Sequence, residues 1–516
     1  MNHLDRRSFL KSTLLTTASL SFWPATGGRA AAARQPSVQT RPQGANQDLR
    51  FAVVGFKGRG ADHISGLRQV KGTRLVALCD VDRDVLAREI KKCQDRGEQV
   101  QGYTDIRKLL ERPDLDFISI ATPNHWHALA SIWAIQAGKD VYVEKPVSHN
   151  VWEGRQLVAA ARQYQRIVQA GTQSRSSTGI AEAIQWLREG NLGKIRWARG
   201  LCYKPRPSIG KVSGPQPIPP SVDYDLWCGP APNGPLLRKR LHYDWHWVWP
   251  TGNGDLGNQG IHEMDMARWV LGETTLSPRV LSLGGRLGYE DDGTTPNTQI
   301  VLHDYPAAPL FFEVRGLPAS DASQKMDQYR GASIGVVVQC EGGCLVIPDG
   351  STATIHFSDD VFPPQKELPV TPDGSGARIL DQDGKKIKRF TGTSNHYANF
   401  LDAVRSRKPA DLKADILQGH LSSALCHTGN ISYRLGATHS PEQIREAVKA
   451  DAGLAEALGR LEEHLAANHV DLHKTPATLG VLLTMDPENE RFIGNDQANR
   501  LLTDDYRQPF VVPQRV

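Results

Sequence analysis

A short apolar strand, a glycine-rich turn and a helix follow one another near residue 50, and this succession constrains the fold most. The strand covers residues 51–54, the turn covers 55–60, and a helix is predicted over 61–69. In a dinucleotide-binding turn, the first glycine makes the bend, the second admits the pyrophosphate, and the third lets helix and strand pack closely. The sequence therefore predicts a βαβ unit that cradles a dinucleotide.

The turn departs from the usual spacing at its second glycine. Gly55 and Gly60 fit the first and third positions, whereas Lys57 occupies the second and Gly58 follows one residue later. We expect Gly58 to provide the close approach to the phosphates, with the amides of the helix start facing them. Arg59 is a further candidate for a phosphate contact.

An acidic residue follows at the distance expected for a ribose contact. Asp80 ends the second predicted strand, about 20 residues after the turn. A carboxylate there accepts hydrogen bonds from ribose hydroxyls and repels a 2′-phosphate, so NAD is favoured over NADP. Two alternatives stay open: Asp80 only caps the next helix, or Arg59 or Arg83 binds a 2′-phosphate and the cofactor is NADP.

Strands and helices alternate between residues 49 and 172, which is typical of a parallel sheet covered by helices on both faces. Farther along, strand-like runs occur at 195–203, 279–287, 298–303, 310–314, 333–340 and 343–347. These runs indicate an open, mostly antiparallel sheet with helices on one face. The predicted fold class is α/β, with an N-terminal Rossmann dinucleotide-binding domain and a C-terminal α/β domain.

Five segments are expected along the chain. A signal peptide at 1–34 and a polar linker at 35–48 precede the Rossmann domain at 49–172. A substrate-binding α/β domain at 173–440 and a C-terminal helical extension and tail at 441–516 follow.

The first segment has the features of a targeting sequence. Residues 5–11, Asp-Arg-Arg-Ser-Phe-Leu-Lys, resemble the twin-arginine export signal, and small residues at 30–33 offer a cleavage site. The apolar stretch between them is too short to span a membrane. We therefore expect a periplasmic or extracellular protein. Because this route carries folded proteins away from the nicotinamide pool, we also expect a tightly bound cofactor.

Composition argues against several other classes. The 61 Lys and Arg residues nearly balance the 56 Asp and Glu residues and form no basic tract, so nucleic acid is not an expected partner. No later segment is apolar enough to suggest a membrane span. His242 and His246 have i, i+4 spacing, but no third ligand is evident, so no metal is expected. The seven cysteines are scattered. Cys340 and Cys344 form either a small disulfide or two strand residues across a turn, and free cysteines are favoured because folding before export occurs under reducing conditions.

The order of these motifs, together with two further ones, resembles that of a known family. Ala-Thr-Pro-Asn-His-Trp-His at 121–127 and Glu-Lys-Pro at 144–146 follow the glycine turn and the acid. This order is similar to that of the Gfo/Idh/MocA oxidoreductases (glucose-fructose oxidoreductase, inositol dehydrogenase and relatives) over essentially the whole mature chain. Segments 227–232 and 254–265 resemble the exported, twin-arginine branch of that family.

The resemblance implies which residues meet the cofactor. The family's nucleotide-lining positions fall here on Thr122, Pro123, Asn124, His127 and Glu144. Lys145 matches the family's lysine, which reaches both the nicotinamide ribose and the substrate. Because Lys145 follows a Rossmann strand at its carboxyl end, where ligands bind, we favour this role over that of an ordinary surface lysine.

The resemblance also implies a proton-transfer pair in the second domain. The family pattern of an Asp, three residues and a His falls here on Asn258 and His262. His262 is the expected general base, since imidazole titrates near neutral pH. Asn258 orients substrate but lacks the charge to stabilise an imidazolium. Asp265 either supplies that missing carboxylate or only stabilises the helix.

Aromatic and basic residues of the second domain are candidates for substrate contacts. Trp245 and Trp247 alternate within 243–249, which indicates one face of an extended segment. Exposed indoles would stack on sugar C–H faces, although a buried strand or an oligomer contact gives the same pattern. The remaining candidates, at the end of a predicted strand, are Tyr203, Lys204 and Arg206. They hold substrate hydroxyls or an acidic group, unless this stretch is a solvated loop.

Three hypotheses for function follow. The first is an exported NAD(P)-dependent oxidoreductase, a dimer or tetramer, in which His262 takes the proton of a sugar or polyol hydroxyl and Lys145 polarises its oxygen. The second is a glycoside-cleaving enzyme of the same fold, which oxidises a sugar carbon transiently, eliminates the aglycone and returns NAD unchanged. The third is a non-catalytic dinucleotide-binding sensor, against which the pairing of Lys145 with His262 argues.

Overall fold

The computed structural model describes residues 48–348 and 376–516. The predicted signal peptide at 1–34 and all of the linker at 35–48 except its last residue lie outside the described residues. In the two described ranges, no helix combines the length and the apolarity that crossing a bilayer requires.

Residues 49–172 form a Rossmann domain. Its strands are β1 (Leu49–Val54), β2 (Thr73–Cys79), β3 (Gln101–Tyr103), β4 (Phe117–Ile120), β5 (Asp140–Val143) and β6 (Val168–Ala170). Its helices are α1 (Arg59–Arg68), α2 (Arg83–Asp95), α3 (Ile106–Leu110), α4 (Asn124–Gln136) and α5 (Val151–Gln163). The strands are parallel in the order β3-β2-β1-β4-β5-β6. Ligands bind such a sheet at its carboxyl edge, where the order reverses between β1 and β4.

The second domain is built on a larger sheet. Its first strands are β7 (Ile195–Tyr203), β8 (Arg279–Gly285), β9 (Thr298–His303), β10 (Leu310–Arg315), β11 (Ile334–Cys340), β12 (Gly343–Pro348), β13 (Ala377–Leu380) and β14 (Lys386–Phe390). Its helices are α6 (Thr178–Arg188), α7 (Tyr224–Cys228), α8 (Gly254–Gly257) and α9 (Gly260–Leu271). Neighbouring strands pair antiparallel, except that β7 and β10 are parallel. The predicted α/β class with a mostly antiparallel second sheet is confirmed.

The C-terminal part adds helices and short strands. The helices are α10 (His396–Ser406), α11 (Ile416–Arg434), α12 (Pro441–Val448), α13 (Ala452–Ala467) and α14 (Asp496–Arg500). The strands are β15 (Ala437–Thr438), β16 (Thr478–Leu479), β17 (Leu483–Asp486) and β18 (Arg491–Phe492). Strands β16 and β17 pair with β8, so the predicted tail extends the substrate-domain sheet. Helices α12 and α13 pack their apolar faces against one face of that sheet.

Two C-terminal pieces return to the Rossmann domain. Phe400 of α10 packs edge-on against Phe117 of β4, with ring centroids 5.3 Å apart. On the other face of the parallel sheet, Phe510 packs against Trp126 of α4 at 5.6 Å. Late residues therefore complete both faces of the first sheet, and the boundaries predicted from sequence do not separate independent cores.

Candidate active site

The glycine turn between β1 and α1 has the geometry of a phosphate-binding loop. Gly55 has a left-handed φ of +74°, which favours glycine. A Cβ added to Gly60 would lie 2.0 Å from the Gly55 carbonyl oxygen, so only glycine lets the helix approach the strand this closely. Gly58 is exposed, and a Cβ there would meet no described atom within 4 Å. The open side of the turn is thus available to a pyrophosphate, and Lys57 and Arg59 flank it.

Replacing Gly60 by alanine tests this turn. We expect Gly60→Ala to lower the free energy of unfolding by about 1–3 kcal/mol, because the methyl group must displace backbone, and to weaken NAD binding. The measurements are urea denaturation and NAD titration. Gly459→Ala is the matched control, since Gly459 lies in α13 and its added Cβ has open space within 4 Å. The control should keep or slightly raise stability; equal behaviour of the two variants would contradict the packing argument.

Asp80 follows β2 and reaches back to the turn. Its Oδ2 accepts a hydrogen bond from the Phe56 amide at 3.1 Å, and its Oδ1 accepts one from the Asp82 amide at 3.0 Å. Burial raises the pKa of Asp80 to about 6, although these two hydrogen bonds oppose the shift. Because a carboxylate oxygen accepts more than one hydrogen bond, both oxygens keep capacity for ribose hydroxyls. The position fits the ribose of NAD.

The segment after β4 lines the other side of the groove. Thr122 lies against Gly55, and its buried Oγ1 has no hydrogen-bond partner among the described residues, as expected where a ligand completes the site. Pro123 precedes the first residue of α4, Asn124, whose side-chain amide donates to Asn253 Oδ1 of the second domain at 2.8 Å. Asn124 therefore ties the groove to the second domain.

His127 has a different role from the predicted one. Its ring nitrogens lie 2.6 Å from the Pro146 carbonyl oxygen and 2.8 Å from the Thr122 carbonyl oxygen, and the ring is buried. Burial lowers its pKa. His127 therefore holds the two loops that flank the groove in place, and the prediction of a direct cofactor contact is corrected to this supporting one.

Glu144 joins the glycine turn to the lysine-bearing loop. It accepts hydrogen bonds from Arg59 Nε at 3.1 Å, His63 Nε2 at 3.0 Å and Gln173 Nε2 at 3.0 Å. Burial alone would raise the pKa of Glu144, but the Arg59 charge and the His63 hydrogen bond outweigh it and hold the pKa well below its usual range. The ionised carboxylate anchors Arg59 beside the turn.

Lys145 points from this loop to the second domain. Its Nζ donates a hydrogen bond of 2.9 Å to the backbone carbonyl oxygen of Asn258. The peptide bond between Lys145 and Pro146 is cis. Burial lowers the pKa of Lys145. The negative charge of Glu144 opposes this shift, and the positive charge of the neighbouring Lys204 adds to it. A lysine with a lowered pKa gives up a proton more readily, which suits an acid–base role.

One of the two predicted proton-transfer residues, Asn258, contacts this lysine through its backbone. Asn258 ends α8, and its carbonyl oxygen is the acceptor for Lys145. His262 lies in the first turn of α9, where its amide donates to the Gln259 carbonyl oxygen at 3.0 Å. The structure therefore brings Lys145 against the short segment that carries both Asn258 and His262.

Two polar residues of this segment were missed by the sequence analysis. Gln259 Oε1 accepts a hydrogen bond from Lys204 Nζ at 2.7 Å, and Gln259 Nε2 donates to Glu263 Oε1 at 3.2 Å. The i, i+4 spacing of Gln259 and Glu263 at the start of α9, beside the predicted base, was the available signal. Lys204 therefore lies beside the segment that carries Asn258 and His262, and its contact with substrate stays a prediction.

Tyr203 faces away from the site, contrary to the prediction. Successive strand residues point to opposite faces of a sheet, so Tyr203 and Lys204 cannot both reach the cleft. The Tyr203 hydroxyl donates to Glu313 and receives a hydrogen bond from Arg460 of α13 at 3.1 Å. Tyr203 belongs to the buried contact between the sheet and α13.

Arg206 forms a buried ion pair rather than an available substrate contact. Its Nε and one terminal nitrogen each donate to Asp255 at 2.7 Å, and both residues are buried. Burial alone would raise the pKa of Asp255, but the Arg206 charge outweighs it and lowers the pKa. The guanidinium also lies 4.9 Å from the centroid of the Trp247 ring. Arg206 therefore braces α8, which ends at Asn258.

The prediction of an extended segment around Trp245 and Trp247 is wrong. Residues Asp244–Trp247 form a 3-10 helix. Trp245 stacks on His246 with ring centroids 3.6 Å apart and packs in a buried cluster, and Trp247 lies under Arg206. Both indoles are buried, so neither offers an open face for sugar stacking. The alternating tryptophans therefore reflect burial, which was the competing interpretation of the same pattern.

Of the two roles predicted for Asp265, the structure supports the structural one. Its carboxylate accepts hydrogen bonds from Arg175 Nε at 2.8 and 3.0 Å and from the Ser422 hydroxyl at 2.6 Å. Burial would raise the pKa of Asp265, but the Arg175 charge outweighs it and lowers the pKa. The carboxylate therefore joins α9 to α11 and to Arg175, and it is corrected from a substrate residue to a structural one.

A parallel Rossmann sheet with a glycine turn, a carboxylate after β2 and a lysine at the carboxyl edge is the arrangement expected of an NAD-binding oxidoreductase. Residues 49–172 match the model described as an oxidoreductase family with an NAD-binding Rossmann fold, and residues 196–301 match the C-terminal alpha/beta domain of the same family. The two matches place residues 49–172 and 196–301 in the Gfo/Idh/MocA family of oxidoreductases.

Similar proteins include curated relatives and a solved structure. Glycosyl hydrolase family 109 protein 2 of Shewanella sp. (strain ANA-3) is 32% identical over 182 residues, which cover 32% of this chain and 39% of the relative. A glycosyl hydrolase family 109 protein of Saccharopolyspora erythraea is 28% identical over 269 residues, covering 49% of this chain and 52% of that one. The chain thus matches between two fifths and about half of the length of these relatives.

The WlbA dehydrogenase from Bordetella pertussis, crystallised with NADH and UDP-GlcNAcA, superimposes with a TM-score of 0.51 at 17% identity. The superposition covers 73% of this chain and 94% of the dehydrogenase. At this identity the likeness concerns the fold alone.

Proposed function

We propose that this protein is an exported NAD-dependent oxidoreductase that acts on a hydroxyl group of a sugar, glycoside or polyol and keeps its cofactor tightly bound. The observation that carries the proposal is the hydrogen bond from Lys145 Nζ to the carbonyl oxygen of Asn258, four residues before His262. This contact brings the Lys145 ammonium group to the segment that carries His262 and so supports a shared role of the two residues.

The roles of the residues follow from their chemistry. When bound, the nicotinamide cofactor supplies the group that accepts the hydride in its oxidised form and donates it in its reduced form. Lys145 donates a hydrogen bond to the substrate oxygen and stabilises the negative charge that develops there, and His262 accepts the hydroxyl proton. Lys204, held by Gln259 at 2.7 Å, adds a second positive charge on the same side of the cleft. Asn258 orients the substrate or His262 through hydrogen bonds.

A second candidate function is glycoside cleavage, which the names of the curated relatives favour. In this reaction a sugar hydroxyl is oxidised to a ketone, the acidified neighbouring C–H loses its proton, and the aglycone leaves. Water then adds to the unsaturated sugar, and the same hydride returns to reduce the ketone, so that NAD is regenerated. Lys145 and His262 would serve the proton transfers of both reactions.

One experiment separates these candidates. The nucleotide released from purified protein is identified by mass spectrometry, and a panel of sugars, polyols and chromogenic glycosides is followed by the absorbance of reduced nicotinamide. Net formation of NADH supports the oxidoreductase. Release of an aglycone without net NADH supports glycoside cleavage. Nucleotide binding without hydride exchange on any compound of the panel would support the third hypothesis, a non-catalytic sensor.

Export and self-association are part of the proposal. The twin-arginine sequence at 5–11 supports an exported location, which cell fractionation tests. An open, mostly antiparallel sheet in the second domain suits packing between subunits, and light scattering tests whether the protein forms a homo-oligomer.

A further inference from the structure

The long segment between β7 and α8, residues 204–252, crosses to the Rossmann domain at the carboxyl end of β2. We call it the crossing segment. Val222 and Asp82 form an antiparallel β-bridge. The Arg83 amide donates to the Ser221 carbonyl oxygen at 2.9 Å, and the Asp223 amide donates to the Val81 carbonyl oxygen at 3.1 Å. Backbone hydrogen bonds therefore join the crossing segment to the loop directly after Asp80, the carboxylate whose position fits the ribose.

A side-chain pair reinforces this junction. His242 Nε2 lies 2.9 Å from Asp82 Oδ2, and the other oxygen of Asp82 accepts the Asp84 amide at the start of α2 at 3.0 Å. The carboxylate of Asp82 is buried and the imidazole of His242 is mostly covered. A buried, charge-assisted contact of this kind is stronger than the same pair in water.

The crossing segment has a small apolar core of its own. Its buried members are Val222, Trp227, Cys228, Leu236, Leu241 and Trp245. Val81 of the Rossmann domain, which lies between Asp80 and Asp82, packs against this core. Lifting the crossing segment from the ribose end would therefore expose apolar surface as well as break hydrogen bonds.

The crossing segment also binds the opposite side of the groove. His125 Nε2 lies 3.0 Å from the Trp227 carbonyl oxygen, and Trp126 Nε1 donates to the Leu226 carbonyl oxygen at 3.0 Å. His125 and Trp126 are in the first turn of α4, directly after Thr122. One piece of chain therefore bridges the loops that follow β2 and β4, between which a dinucleotide lies in this fold.

We infer that the crossing segment is a clamp that retains NAD, and that the contact between His242 and Asp82 holds it closed over the adenine-ribose end. This inference rests on the proposed NAD-dependent function and gives a structural cause for the tight binding proposed there. Because the clamp is part of the second domain, the cofactor leaves only when backbone bridge, side-chain pair and apolar core separate together.

The test is the rate at which NAD leaves the loaded protein. Wild type and His242→Ala are loaded with NAD and diluted, and the nucleotide remaining on the protein is measured over time by rapid filtration. We expect His242→Ala to release NAD at least about tenfold faster, which corresponds to about 1.4 kcal/mol. His242→Gln keeps an N–H donor for Asp82 and should restore much of the retention.

The matched control is His469→Ala. His469 Nε2 lies 2.9 Å from Asp321 Oδ2, the same separation as in the clamp pair, but both side chains are exposed and outside the crossing segment. This variant should release NAD at the wild-type rate. Should His242→Ala fail to fold, Asp82→Asn, which keeps the shape of the side chain, takes its place in the same measurement.

The outcomes separate the clamp from the proposed function. Equal release rates for the wild type and His242→Ala, or for the wild type and Asp82→Asn where that variant takes its place, would overturn the clamp while NAD binding still stands. Rapid release of NAD from the wild type would overturn the clamp as well. A wild-type protein that binds no NAD at any concentration would overturn the proposed function itself.

Discussion

Lys145→Met is expected to lower the rate of hydride transfer by about 10²–10⁴-fold, the usual contribution of a positioned acid–base group, while NAD stays bound. Methionine keeps an apolar stem of similar length but has no ammonium group for the substrate oxygen or for the Asn258 carbonyl. The rate is read in single turnover from the absorbance of reduced nicotinamide, and bound nucleotide is counted by mass spectrometry.

Lys204→Met is the comparison for this variant. Lys204 lies in the same cleft, but its hydrogen bond goes to the Gln259 side chain. Loss of this charge should raise KM more than it lowers kcat, because Lys204 holds substrate and Lys145 acts on the reacting oxygen. Undiminished turnover in Lys145→Met with NAD still bound would remove Lys145 from the chemistry.

Asp265→Ala is expected to lower the free energy of unfolding by about 3–5 kcal/mol, because it leaves a buried guanidinium without its partner. Arg175, whose single Nε–H is shared between the two oxygens of Asp265, is buried, and so is Arg268 at 3.7 Å. Urea denaturation measures the loss. If Asp265 instead assisted His262 directly, the variant would lose kcat at unchanged stability.

The matched control for this prediction is Asp95→Ala. Asp95 accepts a hydrogen bond from Lys91 at 3.0 Å on α2, but both side chains are exposed. Exposed pairs contribute little to stability, so the free energy of unfolding should stay close to that of the wild type. Equal losses in the two variants would show that burial of the Arg175–Asp265 pair is not the cause.

Local patterns were sufficient for most of the Rossmann half. Strand β1 and helix α1 were predicted to within about two residues, and the alternation of strands with helices over 49–172 is confirmed, because burial on both faces leaves continuous apolar runs. The glycine turn and Asp80 were predicted from spacing alone. Strand β3 was missed, since its three residues are exposed or half-exposed and form no apolar run.

The substrate side could be predicted only in part, because long-range partners decide it. Whether Arg206 meets substrate or Asp255 depends on residues 49 positions apart, and no local pattern carries that information. The direction of Tyr203 depended on the strand ending before Lys204. Because successive strand residues point to opposite faces of a sheet, the predicted substrate contacts of Tyr203 and Lys204 could not both be right.

The return of the C-terminal part to the Rossmann domain limits when that domain can fold. Phe400 and Phe510 each complete one face of the parallel sheet. During synthesis, the first 172 residues therefore leave the ribosome before the side chains that complete either face of this sheet have been made. Full burial of the Rossmann sheet is reached only after residue 510, so the stability of the nucleotide-binding domain depends on nearly the whole polypeptide.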